Sequence, residues 1–264
     1  PTVALSFGTH LLSKYSTTRV VSISSGDASN CAIFNDGRAK CWGDNSHGQL
    51  GYNDVAGRGS LPTDLGTLLP FIAFNDDQHV TAISTSDLNT CALLDNGQIT
   101  CWGDNQYGQL GNDNTTDTNT PGAPINLGTG RTAVEITTGD DHTCAILDNG
   151  TVKCWGYNGN GQLGNESTTN TNTPGTPINI GTGRTAVEIT GGGKQSCALL
   201  DNSTVKCWGR NTYGQLGLGD NTDRGDRTGT MGDNLPYVPV SRISRIGNSS
   251  IGNNETSPFT FALK

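Results

Sequence analysis

The chain has few charged residues, fewer basic than acidic residues, and no long apolar run. Only 15% of its 264 residues are charged, and 24 Asp and Glu outnumber 16 Lys and Arg, giving a formal net charge of −8 at pH 7. Nucleic acid and anionic membranes are bound by basic surfaces, so neither is expected as a partner. No apolar stretch approaches the roughly 20 residues that cross a bilayer, so no membrane insertion is expected.

Recognisable catalytic motifs are also missing. The sequence has no Gly-x-Ser-x-Gly, no His-Glu-x-x-His and no phosphate-binding loop ending in Gly-Lys-Ser/Thr. Its repeated acids fall at turn positions, where Asp and Asn usually serve the backbone. Asp140, Asp141 and His142 are adjacent acidic and imidazole groups of the kind found in catalytic sites, but we interpret them as polar residues at the end of a strand. The chain is therefore predicted not to be an enzyme, with no catalytic residues.

Metal binding is only weakly indicated. Residues 113–117 and 220–223 carry oxygens that calcium could bind, but their spacing does not match the helix–loop–helix calcium site. Loops rich in Asx and Thr commonly form local turns instead. We expect no cofactor and no metal-binding residues, and keep calcium as an alternative.

One phrase, a cysteine, a short apolar run, an Asx-rich turn and then Cys-Trp-Gly, occurs four times. The copies span 31–43, 91–103, 144–156 and 197–209 and use all eight cysteines. In the second copy, a three-residue loop ending in Gly97 predicts a type I turn followed by a bulge. Counting outward from that loop places Leu93 opposite Ile99 and Cys91 opposite Cys101, within reach of a disulfide.

The same count applied to every copy predicts four cross-strand disulfides. They join Cys31 to Cys41, Cys91 to Cys101, Cys144 to Cys154, and Cys197 to Cys207. Metal binding by these thiols would need short Cys-x-x-Cys spacing or nearby histidines, and the four histidines share no register. In the fourth copy Ser203 replaces the loop glycine, which should strain that turn or change its type.

A regular set of disulfides predicts an oxidising compartment, so we expect a secreted or cell-surface protein. No signal peptide is visible at the start of the chain, so a leader is expected to have been removed or the chain to begin inside a precursor. Asn-x-Ser/Thr sites suit a secretory route, although a chain rich in Asn and Thr also produces them by chance. The candidate glycosylation sites are Asn114, Asn165, Asn202, Asn248 and Asn254.

The spacing of the repeat predicts a β-propeller. The second cysteines lie at 41, 101, 154 and 207, giving steps of 60, 53 and 53. A period near 50 with several short strands per unit is typical of propeller blades. An alternating strand precedes each copy, and a Gly-x-Asn-x-x-Gly-Gln-Leu-Gly string follows each one, from 43–51 to 209–217. The predicted class is all-β.

The repeated string resembles the repeat of the regulator of chromosome condensation family, over roughly residues 19–217. The resemblance implies a propeller of four-stranded blades, usually seven, closed by strands from both termini. It implies little about function, because propellers host many unrelated activities. The cysteine pair in each blade departs from the eukaryotic members and is similar to secreted repeat proteins of microbes. We therefore do not transfer the nuclear exchange-factor role.

Four copies are too few for seven blades, so we predict a single domain, 1–264, of about five four-stranded blades. The repeat cores lie near 19–51, 79–111, 131–164 and 184–217, and the termini, 1–18 and 236–264, are expected to assemble the fifth blade. Strands are predicted in 2–7 and 259–263. The alternative is an open ring in which a terminal strand pairs with a neighbouring molecule.

Repeated aromatic residues are expected to form the blade core. A tryptophan follows the second cysteine of each copy, and we predict that it packs between adjacent blades near a disulfide: Trp42, Trp102, Trp155 and Trp208. The repeated glutamines, Gln49, Gln109, Gln162 and Gln215, are expected to bond backbone groups. Binding is expected instead in the segments that the copies do not share, 52–77 and 220–240.

These observations favour a non-enzymatic binding or structural module that binds a protein partner or copies of itself, with a glycan ligand as a further option. One alternative is a protein inhibitor similar to the bacterial β-lactamase inhibitory propeller. That role would want exposed aromatics at the repeated loop position, which holds His47, Tyr107, Asn160 and Tyr213. A second alternative is a hydrolase or lyase, which would need acids or histidines converging at the propeller axis.

Overall fold

The computed structural model describes residues 18–75, 78–240, 243–246 and 261–263. Within them, twelve strands form four antiparallel sheets of three, each in chain order. Blade 1 contains β1 (Val20–Ser25), β2 (Ser29–Phe34) and β3 (Ala39–Gly43), and blade 2 contains β4 (Val80–Thr85), β5 (Asn89–Leu94) and β6 (Ile99–Gly103). Blade 3 contains β7 (Ala133–Thr138), β8 (His142–Leu147) and β9 (Val152–Gly156), and blade 4 contains β10 (Ala186–Gly191), β11 (Gln195–Leu200) and β12 (Val205–Gly209).

The predicted fourth strand of each blade is reduced to a short edge. In each blade one linker residue donates its backbone N–H to the third strand, as Ile125 does to the carbonyl of Ile99 at 2.9 Å. Pro124 precedes Ile125 and has no N–H, so the ladder cannot extend through it. The linkers instead add single bridges, such as that between Gly103 and Thr118. The blades therefore have three full strands and an irregular outer edge.

The hairpin register matches the prediction. Cys91 lies opposite Cys101 and Leu93 opposite Ile99. The loop closes through the N–H of Gly97, which donates to the carbonyl of Leu94 at 2.9 Å. The fourth hairpin keeps the same register, with Ser203 held at φ 62° in the left-handed region. The turn therefore keeps its type and carries the serine in a backbone conformation that favours glycine.

The core lies between neighbouring blades. The tryptophan of one blade packs with the disulfide of the blade before it, as Trp102 does with Cys31 and Cys41. Trp155 and Trp208 make the equivalent contacts one and two blades further on. Hydroxyl pairs also join the first strands, including Ser84 Oγ and Thr138 Oγ1 at 2.9 Å. Each blade therefore depends on its neighbour for a large part of its burial.

The two ends of the row of blades differ. A two-stranded sheet, β13 (Ile243–Ile246) and β14 (Phe261–Leu263), lies beside strands β10 and β11 of blade 4. At the other end, Ile23 is 70% exposed, whereas its equivalent in blade 4, Ile189, is 3% exposed. The predicted strand at 2–7, and with it the closure of the ring, lies outside the described residues. No helix in the described part of the chain is long and apolar enough to span a membrane.

Candidate binding face

One face of the propeller, to which all four blades contribute, carries most of the unusual polar chemistry. Here the turn between the first and second strands of each blade lies against the loop that follows Cys-Trp-Gly. Backbone bonds join the two: Asp104 donates its N–H to the carbonyl of Leu88, and Tyr157 donates to Asp141, at 2.9 and 2.8 Å. We call this surface the turn face. It comprises 26–28, 86–88, 139–141 and 192–194 with 44–48, 104–108, 157–161 and 210–214.

Buried asparagines hold the loops of the turn face rigid. The Oδ1 of Asn105 accepts the N–H of Leu110, and its Nδ2 donates to the carbonyls of Asn114 and Thr116. Three further residues do the same in the other blades, and all four are 0% exposed: Asn45, Asn105, Asn158 and Asn211. Their role in bracing the loops was not predicted from the sequence, although each occupies the asparagine position of the repeated string.

The repeated glutamines contact the backbone, as their position in the string suggested. Gln109 Oε1 accepts the N–H of Tyr107 at 3.0 Å. The carbonyl of Gln109 accepts both the Thr143 hydroxyl and the indole N–H of Trp155 from the next blade. All four glutamines shape their own loops with the side chain, and the backbone carbonyls of Gln49, Gln109 and Gln162 also join two blades.

Aspartates converge on the turn face. Asp27, Asp87 and Asp140 occupy the same turn position in blades 1, 2 and 3. Burial raises the pKa of Asp140, and the negative charges of Asp87 and Asp27 raise it further, against the opposing charge of Lys194. Burial also raises the pKa of Asp141 to about 6, with Asp140 and other carboxylates adding to the effect. Burial and neighbouring like charges therefore disfavour the ionised forms of Asp140 and Asp141.

Blade 4 breaks this pattern. It has Gly193 and Lys194 in the turn and Arg210 in the adjoining loop, so its part of the turn face is basic. The Lys194 ammonium lies 5.9 Å from the ring centre of Tyr157 in blade 3. The turn face is thus acidic over three blades and basic over the fourth.

Three corners between neighbouring blades occupy equivalent positions of the repeat but carry different side chains. Between blades 2 and 3, the rings of Tyr107 and Tyr157 pack 4.9 Å apart. Between blades 3 and 4, Asn160 Nδ2 donates to Asp223 at 3.3 Å. Between blades 1 and 2, an imidazole lies 3.5 Å from each of two carboxylates; the residues are His47, Asp104 and Asp117. This cluster could not be predicted from the sequence, because its members belong to two blades.

His142 does not serve as a catalytic base. Its Nε2 lies 2.9 Å from Ser196 Oγ, and both side chains are 0% exposed. The Ser196 hydroxyl donates to the carbonyl of Gln162, so it accepts from His142. Burial lowers the pKa of His142 to about 4, which keeps the ring neutral. The pair joins blades 3 and 4, and no substrate can reach it.

All eight cysteines form disulfides, in the pairs that the sequence spacing indicates: 31–41, 91–101, 144–154 and 197–207. The Cα atoms of each pair lie 4.1 Å apart, and no cysteine is free. Trp102, Trp155 and Trp208 are 0% exposed, whereas Trp42, which has no described blade before it, is half-buried.

The other predicted sites fall in different places. The side chains of Asn114, Asn165 and Asn202 are exposed, as a glycan would require, while Asn248 and Asn254 lie outside the described residues. In the loop at 220–223, Asp220 pairs with Arg224 at 2.6 Å, so it already has a cationic partner. Asp117 approaches His47 and Asp104 of the first corner, and Asp113 is not part of that cluster.

The two unshared segments are anchored to the blades. In the first, Tyr52 donates its hydroxyl hydrogen to a backbone carbonyl, and burial raises its pKa to about 12. In the second, Glu166 Oε1 accepts three backbone N–H groups, from Gly229, Thr230 and Met231. Both segments therefore brace the scaffold. The prediction that they form the binding site remains a prediction.

Comparison with known proteins agrees with the fold. Two descriptions of the regulator of chromosome condensation (RCC1) repeat match the chain, one at 20–49, 80–109, 133–162 and 186–215, the other at 96–146, 149–199 and 204–246. The Ultraviolet-B receptor UVR8 of Arabidopsis thaliana is 32% identical over 207 residues, which are 78% of this chain and 45% of the receptor. A probable E3 ubiquitin-protein ligase of Homo sapiens, HERC4, is 29% identical over 84% of this chain and 20% of its own length.

Solved structures show the same architecture. Yeast RCC1 (Prp20), in its complex with Kap60, has a TM-score of 0.67 and 21% identity over 87% of this chain and 52% of that one. Human WBSCR16 has a TM-score of 0.71 and 17% identity over 89% of this chain and 56% of that one. The chain spans about half the length of these two structures, and less than half of the two curated relatives. With its four repeats and its propeller blades, the chain belongs to the regulator of chromosome condensation (RCC1) repeat family.

Proposed function

We propose that this chain is a non-enzymatic protein-binding module of an oxidising compartment, and that its turn face binds a segment rich in Lys and Arg. The convergence of Asp27, Asp87 and Asp140 at one turn position in successive blades carries the proposal. The raised pKa of Asp140 and of Asp141 reflects burial together with like charges, and a cationic side chain placed among them would relieve that repulsion.

Binding fits the chemistry of this face better than catalysis does. A hydrolase with two carboxylates needs their pKa values pushed apart, so that one group stays ionised while the other holds a proton. Here the pKa values of Asp140 and Asp141 are both raised. His142 is buried beneath the face with its hydrogen bond directed to Ser196. The turn face thus offers negative charge that suits the binding of a cationic segment.

The compartment and the relatives support a binding role. Four disulfides with no free thiol suit secretion or the cell surface, because such bonds persist where conditions are oxidising. Solved structures of the same fold are described by their partners: yeast RCC1 bound to Kap60, and Prp20p with its binding to Gsp1p and histones. A protein partner is therefore the class of ligand that we propose, and an inhibitor-like role would be one form of it.

The test is direct binding of a fluorescein-labelled peptide of alternating lysine and glycine, measured by fluorescence anisotropy. We expect binding that weakens as salt is raised, since exposed charge pairs are screened within about 10 Å at 0.1 M. Replacing two acids of the turn face, Asp87→Asn with Asp140→Asn, should weaken binding roughly tenfold, because each of these partly exposed charges contributes up to about 1 kcal/mol to an ion pair.

The chain offers a matched control for that experiment. Asp95 and Asp148 lie in the hairpin loops at the opposite ends of the second strands, and both are exposed. Asp95→Asn with Asp148→Asn removes the same charge and should leave peptide binding unchanged. Equal losses in the two double variants would show attraction to net charge alone, and equal binding of a glutamate–glycine peptide would overturn the proposed site.

A second candidate function, self-association, rests on the side of blade 1 that the described residues leave uncovered. Val20 and Ile23 are 48% and 70% exposed, whereas Ile136 and Ile189, equivalent to Ile23, are 7% and 3% exposed. The β13–β14 sheet lies beside blade 4, at the other end of the row. We propose that this sheet of one copy covers the uncovered side of blade 1 in the next, a head-to-tail contact that builds chains.

Mass measurement over a range of dilutions tests self-association. We expect the mass to rise with concentration and Ile23→Asp to keep the protein monomeric. Val134→Asp is the matched control, because Val134 is 59% exposed on the first strand of blade 3, an interior blade, and should leave association unchanged. A monomer at every concentration would exclude this second function without affecting peptide binding.

A further inference from the structure

The corner between blades 1 and 2 brings together one imidazole and two carboxylates. His47 Nδ1 lies 3.5 Å from Asp104 Oδ1 and 3.5 Å from Asp117 Oδ2. The three atoms all lie within 4.8 Å of one another. Ligand atoms bound to one tetrahedral zinc ion at 2.0–2.2 Å are about 3.3–3.6 Å apart. The two imidazole–carboxylate distances therefore match the spacing of ligands around a single small cation.

The surrounding protein orients both carboxylates. The second oxygen of Asp104 accepts a hydrogen bond from Gln109 Nε2. The second oxygen of Asp117 accepts the backbone N–H of Asn105 at 2.9 Å. In metal sites, hydrogen bonds of this kind hold the ligands in place before the ion binds. Both donors belong to the Asn- and Gln-based loop scaffold that every blade repeats.

The charges in this corner favour binding of a cation, because two carboxylates lie close together and one of them is buried. Asp104 has a side chain only 4% exposed, and its pKa is raised by burial first and then by the negative charge of Asp117. His47 and Asp117 have side chains 37% and 48% exposed, so the open side of the cluster faces solvent. An ion can enter from that side, and water can complete its coordination.

The same corner elsewhere lacks this set. The equivalents of His47, Asp104 and Asp117 are Tyr107, Tyr157 and Asn170 between blades 2 and 3, and Asn160, Arg210 and Asp223 between blades 3 and 4. The first of these packs two rings together, and the second joins an amide to a carboxylate beside an arginine. The imidazole and its two carboxylates are thus particular to the first corner and are not required by the shared fold.

We propose that His47 Nδ1, Asp104 Oδ1 and Asp117 Oδ2 bind a divalent transition-metal ion of the Zn²⁺ class. An imidazole nitrogen combined with carboxylate oxygens suits zinc, whereas calcium and magnesium prefer ligand sets made of oxygen alone. The ion would link blade 1 to blade 2, because His47 lies after β3 and both carboxylates lie after β6. This proposal does not depend on the binding of a basic partner.

The experiment is calorimetric titration of zinc chloride into oxidised protein that carries no affinity tag and has been stripped with a chelator. We expect one equivalent of zinc to bind and the melting temperature to rise with zinc concentration. His47→Gln and Asp117→Asn should each weaken zinc binding at least about tenfold, the lower limit for losing a group that only supports a ligand.

His79→Gln is the matched control. His79 Nδ1 lies 3.2 Å from Asp95, a single carboxylate on an exposed surface, so its loss should leave zinc binding unchanged. Melting curves without zinc show that each variant is folded. The proposal is wrong if wild-type protein takes up no zinc, if His47→Gln binds zinc as tightly as wild type does, or if calcium chloride gives the same shift. Without zinc uptake the three side chains form an ion pair only, and an equal shift with calcium would mean a site that does not select the Zn²⁺ class.

Discussion

The indole N–H of Trp102 donates to the backbone carbonyl of Gln49 in the preceding blade, at 2.9 Å. The bond links the two most regular features of the repeat, the tryptophan after the second cysteine of one blade and the glutamine in the string of the preceding blade. It recurs from Trp155 to Gln109 and from Trp208 to Gln162, each at 3.0 Å. The repeat therefore specifies the joint between blades as well as the blade itself.

Removing Trp102 should cost far more stability than removing Trp42. Trp102→Ala deletes a side chain that is 0% exposed, together with its bond to Gln49, and should lower the free energy of unfolding by about 3–5 kcal/mol. Trp42 is only half-buried, so Trp42→Ala should cost clearly less. Urea unfolding followed by circular dichroism measures both. Equal losses would mean that the joint between blades adds nothing beyond burial within the blade.

Each disulfide should stabilise its blade mainly by restricting the unfolded chain. Cys91→Ala with Cys101→Ala opens a loop of sequence separation 10 and should lower the free energy of unfolding by about 2–4 kcal/mol. Wild type measured in a reducing agent should lose more, because all four bonds open. If the reducing agent left wild type unchanged, the disulfides would not contribute to stability.

Glycine in the hairpin loops meets two requirements, a positive φ and the lack of a Cβ where the next blade lies close. In blade 4, Ser203 has the positive φ but carries a Cβ. A Cβ added to Gly150 would lie 2.6 Å from the Cβ of Thr185 in the next blade, and Gly150 has φ 74°. Ser203 has the same positive φ, 62°, but its loop belongs to blade 4, the last of the four repeats. Ser203 is exposed, so its side chain is accommodated in this loop.

This difference predicts opposite effects of two exchanges. Ser203→Gly should raise the free energy of unfolding by about 0.5–1 kcal/mol, since glycine adopts a positive φ without strain. Gly150→Ser should lower the free energy of unfolding by more than about 1 kcal/mol, because the positive φ strains the serine and its Cβ collides with Thr185. Thermal melts of the two variants decide the matter. Similar effects of the same sign would show that approach of the next blade is unimportant.

Burial of His142 should make the protein less stable in mild acid. Its pKa falls from 6.5 to about 4 in the folded state, so the unfolded chain binds the proton more readily between these values. The stability due to neutral His142 is complete above pH 6.5 and declines as the pH falls toward 4, by about 3 kcal/mol in all. Asp141, with its pKa raised to about 6, acts in the opposite direction over much of this range.

The contribution of His142 can be isolated with His142→Gln, since Gln195 occupies the equivalent position in blade 4. Chemical unfolding at several pH values between 4 and 7 should show a steeper loss toward acid in wild type than in the variant. Parallel curves would mean that His142 titrates normally in the folded protein.

Much of the blade could be predicted from local spacing. The ten-residue separation of Cys91 and Cys101, with Gly97 closing the loop, determines which residues face each other, because a three-residue turn permits one register. The outer edge of the predicted four-stranded blade is less regular than the other three strands, because Pro124 interrupts it. The spacing predicted the three strands that form ladders, but it did not indicate that the outer edge is irregular.

The sequence by itself determined the repeating unit, its disulfides, its all-β class and the family, because these depend on residues that are close along the chain. Only the tertiary structure decided what the units do together. His47 approaches Asp104 and Asp117, about 60 and 70 positions away in the next blade, and Asp27, Asp87 and Asp140 gather on one face. No short-range sequence pattern predicts these contacts between blades, because the side chains come together when blades pack side by side and not when strands pair.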